Sequence, residues 1–467
     1  MGQATITGVA SAPFLLIAIG TALLLRIERL RVHRAQVLTI ASLAFAIAVT
    51  ASWLDAACLC VMAGSGWFFI KAVLVCKKSL LLGVAIAAII AEFLLTRQLV
   101  PGTGWLPGVA LGRTIGLSYI MFRIIHLIVD AHGDELPPGH AGLRDYVCYL
   151  CFFPTFLAGP IQRMQDFSAE LARLAPARVR PLPPETLCPI IRGYFKFIVL
   201  AGLFFAGFRW SEGVSPAADA PRQAAAFVLF ASYLYVSFSG YTDVVRGVAG
   251  LFDFHLPENF DRPYLSANFL DLWSRWHISL SDWFRLYLFN PLTKELIAAA
   301  NRPRIVPLLG AAGFFITFLV MGLWHGTTIR FVLYGLCLGA GVSGDKLYQT
   351  AMQRMCGRPG YARMSRRPAY VAMSRGLAVT YFVLALGFFW VPSAPAPSAI
   401  GAWAATAGLV LLAMLVLSAV AAATAGKRGA ARSRVPQLLL GCAEGAAIVA
   451  YLVILHGAAP PLIYQFF

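Results

Sequence analysis

Two histidines occupy places that suit proton-transfer chemistry. His325 closes an apolar run in Leu-Val-Met-Gly-Leu-Trp-His-Gly-Thr, and a second apolar run follows it. An ionisable group at membrane depth is costly and so marks a functional candidate. A neutral imidazole can take a proton from a hydroxyl. Gly322 and Gly326 beside it leave room for a substrate or for another backbone. A structural histidine bonded to a carbonyl is the competing reading. His277 lies in Trp-Ser-Arg-Trp-His-Ile-Ser-Leu-Ser, surrounded by Arg275, Ser279, Ser281 and Asp282. On a helix Ser281 would share its face. An interfacial histidine on a Trp-anchored helix is the alternative there.

Other candidates rank lower. His126, within Phe-Arg-Ile-Ile-His-Leu-Ile, reads as a satisfied core histidine. His33, His132, His140 and His255 read as loop residues, and His456 as a helix-end residue. Asp243 and Arg246 stand three apart in an apolar run, a spacing at which they can pair. Cys148 and Cys151 form a lone C-x-x-C with no second ligand pair, so no metal site is expected. Nucleophile-elbow, P-loop, H-E-x-x-H and dinucleotide-binding signatures are absent from the sequence.

The surrounding chain reads as membrane-embedded. Of 467 residues, 59% are hydrophobic and only 13% charged, with a mean hydropathy of +0.73. Soluble chains carry about a quarter charged residues. Apolar runs fall near 13–25, 36–54, 56–76, 79–95, 114–129, 187–209, 224–252, 305–322, 329–350, 370–390, 400–423 and 435–456. Each approaches the ~20 residues that a spanning helix needs. The expectation is an all-α polytopic protein with about ten to twelve transmembrane helices, forming a single integral membrane domain over 1–467. The net charge of +17 is read through the tendency of Lys and Arg to stay cytoplasmic, which removes the need for nucleic acid as a partner.

Basic clusters set the expected orientation. Arg26 to Arg34, Lys77-Lys78, Arg354 to Arg367 and Lys427 to Arg434 are placed inside. The basic cluster follows the first apolar run, so that run is expected to persist as a helix with its N-terminus outside. Alternation then puts Trp324-His325 toward the outer side. It closes only if Tyr146–Pro160, broken by Pro154, Gly159 and Pro160, enters and returns without crossing. Ser266–Phe289 is too polar to span. Phe269, Trp273, Trp276, Leu280, Trp283 and Tyr287 recur at helical spacing, which predicts one amphipathic helix at the cytoplasmic side. Asn268 and Asp271 resemble its cap, and Asp271 can pair with Arg275 four residues on.

Taken in order, several segments resemble the membrane-bound O-acyltransferase (MBOAT) family. They are Phe152-Phe153-Pro154-Thr155 through Gly159-Pro160-Ile161-Gln162-Arg163, Phe238-Ser-Gly-Tyr-Thr-Asp243, Pro257-Glu-Asn-Phe260 and Pro263-Tyr-Leu-Ser266. The strongest is Trp273-Ser-Arg-Trp-His-Ile-Ser-Leu-Ser-Asp-Trp-Phe-Arg285, followed by Met321-Gly-Leu-Trp-His-Gly326, with Leu462-Ile-Tyr-Gln-Phe-Phe467 at the end. The motif-rich core covers 145–345, and the pattern is similar to the bacterial D-alanyl-transfer and polysaccharide O-acetyltransferase branch. Leu157-Ala158 departs from the D-alanyl type and Ser274 replaces the arginine common between the two tryptophans, leaving acyl group and acceptor open.

The resemblance implies a ring-like bundle with re-entrant and amphipathic helices around a thin centre. It makes His325 and His277 the catalytic pair. Trp324, Trp276, Arg275, Ser279, Asp282, Gly159, Pro160, Gln162, Asp243 and Asn259 become residues that line or support a substrate passage. It implies no tightly bound cofactor. The donor would be a cytoplasmic thioester, on coenzyme A or on an acyl carrier protein, whose docking the basic loops would favour. The acceptor would be a hydroxyl on an extracytoplasmic polysaccharide or a relay protein, reached across a cytoplasmic (inner) membrane. A transporter or flippase of an envelope precursor is the rival; such folds often carry matched repeats, and none is visible here.

Overall fold

Lipid offers backbone groups no hydrogen-bond partner, so long apolar runs satisfy their N–H and C=O groups internally as helices. The computed structural model of the chain follows that rule. It describes residues 11–27, 33–50, 53–96, 116–136, 142–173, 187–212, 219–326, 328–391, 400–425 and 434–453, with Val9 and Leu30. Every apolar run meets a helix. Seven of the described helices are long and apolar enough to cross a membrane: Asp55–Val75, Ser79–Thr96, Cys188–Ser211, Ala220–Gly250, Pro303–His325, Pro368–Phe389 and Gly401–Ala419. Leu16, Ile47, Leu80 and Leu412 point outward, as side chains facing lipid do. The protein is all-α and multi-pass. His140, His456, the Pro392–Pro397 stretch, the cluster at Lys427, Arg428 and Arg432, and Leu462–Phe467 lie outside the described residues.

The chain divides into two units, Met1–Gly193 with Tyr241–Pro257, and Tyr194–Gly240 with Glu258–Phe467. In the first, α1 (Ala12–Leu24) packs on α2 (Arg34–Val49), and α3 (Trp53–Val75) and α4 (Ser79–Thr96) pack on α5 (Leu117–His132). The short α6 (Leu143–Leu150) lies against α2, α3 and α5. It ends before the prolines, as expected of a chain that loses backbone donors there. One 3-10 turn at Phe153–Thr155 follows, and Phe152–Ile161 is buried.

Arg123 of α5 holds this broken segment. Its guanidinium is 2% exposed and donates to the carbonyls of Tyr149 (3.2 Å), Leu150 (2.7 Å) and Thr155 (2.9 Å), and to Thr155 Oγ1. The bond to Leu150 replaces the helical one that Pro154, four residues on, cannot donate. Gly159 is required by the same turn, since a Cβ there would lie 2.5 Å from Thr155 Cα. α7 (Met164–Arg173) follows. The first unit also holds His126, a buried histidine whose Nε2 accepts from Met164 N–H at 3.4 Å.

In chain order come α8 (Cys188–Tyr194), a π-helical turn at Phe195–Leu200, α9 (Ala201–Ser211) and the long α10 (Ala220–Gly250). The second unit continues with α11 (Phe269–Trp273), α12 (Ile278–Phe284), a π turn at Arg285–Phe289, α13 (Asn290–Ala300), α14 (Val306–His325), α15 (Ile329–Ser365), α16 (Pro368–Ala385), α17 (Ile400–Ala425) and α18 (Arg434–Val453). α14 and α15 form a tight hairpin. A Cβ on Gly322 would sit 2.5 Å from Gly335 Cα, so the two backbones touch at a glycine–glycine crossing. Small residues at crossings let membrane helices approach closely.

The single amphipathic helix expected over Ser266–Phe289 is corrected. α11 stops at Trp273, and His277 takes left-handed backbone angles, φ 43° and ψ 54°, before α12 starts. Five of the six apolar positions are nonetheless buried, Phe269, Trp273, Trp276, Leu280 and Trp283, while Tyr287 is half-buried. The cap is formed, Asn268 Oδ1 accepting from Asp271 N–H at 2.8 Å, and Arg275 Nε donates to Asp271 Oδ1 at 2.8 Å.

Candidate active site

A cavity within the second unit is lined by both singled-out histidines, His277 and His325, together with Trp273, Trp276, Trp324 and Tyr334 and further apolar side chains. The space it encloses is narrow, about 40 Å³, room for a few water molecules. Its lining of aromatic and apolar groups with a few polar ones is of the kind that small-molecule sites carry.

The two histidines are held by different means. His325 ends α14 and is caged by rings: Trp324 at 4.5 Å between centroids, Phe389 at 5.4 Å and Tyr334 at 5.6 Å. The Gly322 crossing lies one turn earlier, so the space foreseen around Gly322 is taken by a backbone. Gly326 is filled similarly, by the ring of Phe331.

His277 is 6% exposed and sits edge-on to Phe238 at 4.8 Å. Its Nδ1 lies 3.3 Å from Asn259 Oδ1. The same oxygen accepts from Ser279 N–H (3.1 Å) and Ser279 Oγ (2.9 Å). Around it, residues 259–261 and 275–278 run antiparallel: Ile278 N–H donates to Asn259 O and Asp261 N–H to Arg275 O, both at 3.0 Å, with Phe260 bridging Trp276. Burial pushes the His277 pKa down to about 3, only partly opposed by a hydrogen bond from its ring to its own backbone. The imidazole is therefore neutral at physiological pH.

The remaining candidates separate by position. Trp324 and Trp276 line the cavity with the histidines. Asn259 and Ser279 stand behind His277. Arg275 bonds Asp271 and Asp261 and so ties the loop on the far side of that mesh. Asp282 turns to Arg285 at 2.8 Å with half its side chain exposed, away from the lining. Gly159, Pro160, Gln162 and Asp243 belong to the first unit. There Tyr149 OH donates to the Gln162 carbonyl, and Asp243 is half-buried. Eight of the twelve lining residues were not picked out from sequence as site residues. Phe238, Trp273, Leu280 and Met321 stood in the family motifs without a site role, while Tyr334 and Phe389 carried no local signal. No cluster of three or more potential metal ligands occurs among the described residues.

The family model of MBOAT, the membrane-bound O-acyltransferase family, matches residues 215–389, which contain both histidines and every cavity-lining residue. The chain is 29% identical over 282 residues to "Probable alginate O-acetylase AlgI" of Pseudomonas fluorescens, covering 58% of this chain and 51% of that protein. It is 31% identical over 231 residues to the teichoic acid D-alanyltransferase of Bacillus subtilis (strain 168), covering 48% and 56%. It is 32% identical over 220 residues to the peptidoglycan O-acetyltransferase of Helicobacter pylori (strain ATCC 700392 / 26695), covering 45% and 38%. The chain spans about half the length of the curated relatives it matches. With its all-α multi-pass architecture and its paired histidines inside the matched segment, the chain carries over residues 215–389 a domain of the membrane-bound O-acyltransferase family.

Proposed function

We propose that the chain is an O-acyltransferase of the cytoplasmic (inner) membrane. In this reading it moves an acetyl or D-alanyl group from a cytoplasmic thioester to a hydroxyl of an extracytoplasmic envelope polysaccharide, or to a relay protein. The observation that carries it is the single cavity that His277 and His325 line together within the matched segment. The relatives' names support an envelope polymer as acceptor.

His325, in its neutral form, takes the proton of the acceptor hydroxyl through one ring nitrogen. The hydroxyl oxygen attacks the thioester carbonyl carbon. The C–S bond breaks, and the departing thiolate takes the proton back from the imidazolium. An ester and a free thiol result. The apolar walls exclude water that would otherwise hydrolyse the thioester. His277 holds a substrate group beside the reacting centre.

The test is transfer in sealed vesicles, with labelled acetyl-CoA or a D-alanyl carrier thioester inside and candidate glycans outside. Label should appear covalently on the acceptor with wild type and not with His325→Ala. Label that crosses the membrane without becoming covalently attached would instead support the transporter alternative, which no feature of the cavity favours.

A further inference from the structure

The atoms around His277 are arranged in a way that settles which of its ring nitrogens carries the proton. Imidazole has two nitrogens, and in the neutral ring one donates while the other accepts. Assigning them requires knowing what each faces. Asn259 supplies the answer, because its own orientation is fixed by a group that cannot be ambiguous. The backbone N–H of Ser279 can only donate, and it meets the Asn259 side chain at 3.1 Å. The atom it meets is therefore the amide oxygen. Since that oxygen can only accept, the His277 nitrogen 3.3 Å from it, Nδ1, must be the one bearing hydrogen. Nε2 is then left with the lone pair.

Nothing local would produce this arrangement by chance. His277 stands in the left-handed region, which costs a non-glycine residue about 1–2 kcal/mol. Asn259 is 1% exposed, and its oxygen takes donors from two residues at once. Its main chain also accepts from Ile278 N–H, so the side chain has little freedom to turn.

We propose that Asn259 is a positioning residue that locks His277 as the Nδ1–H tautomer, so that His277 presents Nε2 to the cavity as a hydrogen-bond acceptor. The consequence is specific. His277 then recognises an N–H or O–H of a substrate, such as the amide of a pantetheine arm or the acceptor hydroxyl. It does not supply an N–H to the oxyanion that forms on the thioester carbonyl, so that donor lies elsewhere. This proposal rests on the acyl-transfer reading of the cavity for its functional half, while the tautomer stands on the geometry alone.

The experiment has two readouts. The full chain, labelled with 15N-histidine in lipid nanodiscs, is examined by NMR at neutral pH, with His277→Gln used to assign the resonance. A protonated Nδ1 and a bare Nε2 are expected; a protonated Nε2 in the wild type would overturn the proposal whatever the activity. Transfer kinetics are then compared for Asn259→Leu and Asn259→Asp. The Leu variant should lose at least about tenfold in kcat, with KM moving less. The Asp variant keeps the accepting oxygen and should recover part of that loss. Its added charge should also raise the pH below which activity falls, a shift that a merely structural residue would not produce. A folded Leu variant with wild-type kcat, or an Asp variant that regains kcat with an unmoved pH profile, overturns the positioning role. Absence of any transfer by the wild type would sink the acyl-transfer reading, and the nitrogen spectrum would still decide the tautomer.

Discussion

The surroundings of His277 and of His325 solve one problem in opposite ways. His277 is fixed by hydrogen bonds between two loops, with Asn259 at the centre and Arg275 tied on the far side to Asp261 and Asp271. His325 is fixed by packing, with aromatic rings around it and a glycine crossing behind it. Hydrogen bonds are directional and can select a tautomer. Ring packing sets position and keeps water out without by itself imposing a hydrogen-bonding sense. A residue that must hold a constant hydrogen-bonding sense fits the first setting. A residue that must gain and lose a proton in each cycle fits the second.

Substitutions can break or sharpen that contrast. The largest effect is expected at His325 itself. His325→Ala should lower kcat by about 10²–10⁴-fold, read as label on the acceptor, with insertion and melting nearly unchanged. Gly322→Val comes next. A side chain there meets the Gly335 backbone and must push the helices apart, at a cost of about 1–3 kcal/mol, seen as a lower melting temperature and lost transfer. Ser279→Ala removes one of the donors to Asn259 and should cost about 1 kcal/mol by the same melting assay, with a partial fall in kcat. The pH profile should carry no limb from His277 between about pH 5 and 8, since its folded-state pKa of about 3 keeps it neutral there. Its depressed value adds stability above the unfolded value of about 6.5, which is lost as pH falls toward 3. Melting midpoints of wild type and His277→Gln should therefore converge as the pH falls from 6.5 toward 4. Asp282→Ala is expected to change least, within about 0–1 kcal/mol and without effect on transfer, because its pair with Arg285 is half-exposed.

What was legible in the sequence follows the range of the interactions. Runs of apolar residues set the helices, because the constraint that makes them is local, one residue bonding to its fourth neighbour. The Asn268 cap and the Asp271–Arg275 pair were readable for the same reason. The break at His277 was not. Its cause is Asn259, 18 residues upstream, and periodicity sees nothing at that separation. Arg123 was passed over although a lone arginine in an apolar run is a visible oddity. Its partners at Tyr149, Leu150 and Thr155 lie 26 to 32 residues away, and nothing links them to it before folding. The two histidines were picked out from residue type and family resemblance, but the means by which each is held was not.

The crossing of Gly322 on Gly335 also has a mechanical consequence. Where two main chains touch directly, no side chain remains to flex between them, so α14 and the first turns of α15 behave as one stiff piece. His325, Phe331 and Tyr334 travel together on it. Any widening that admits a bulky substrate must therefore come from the rest of the lining and not from between these two helices.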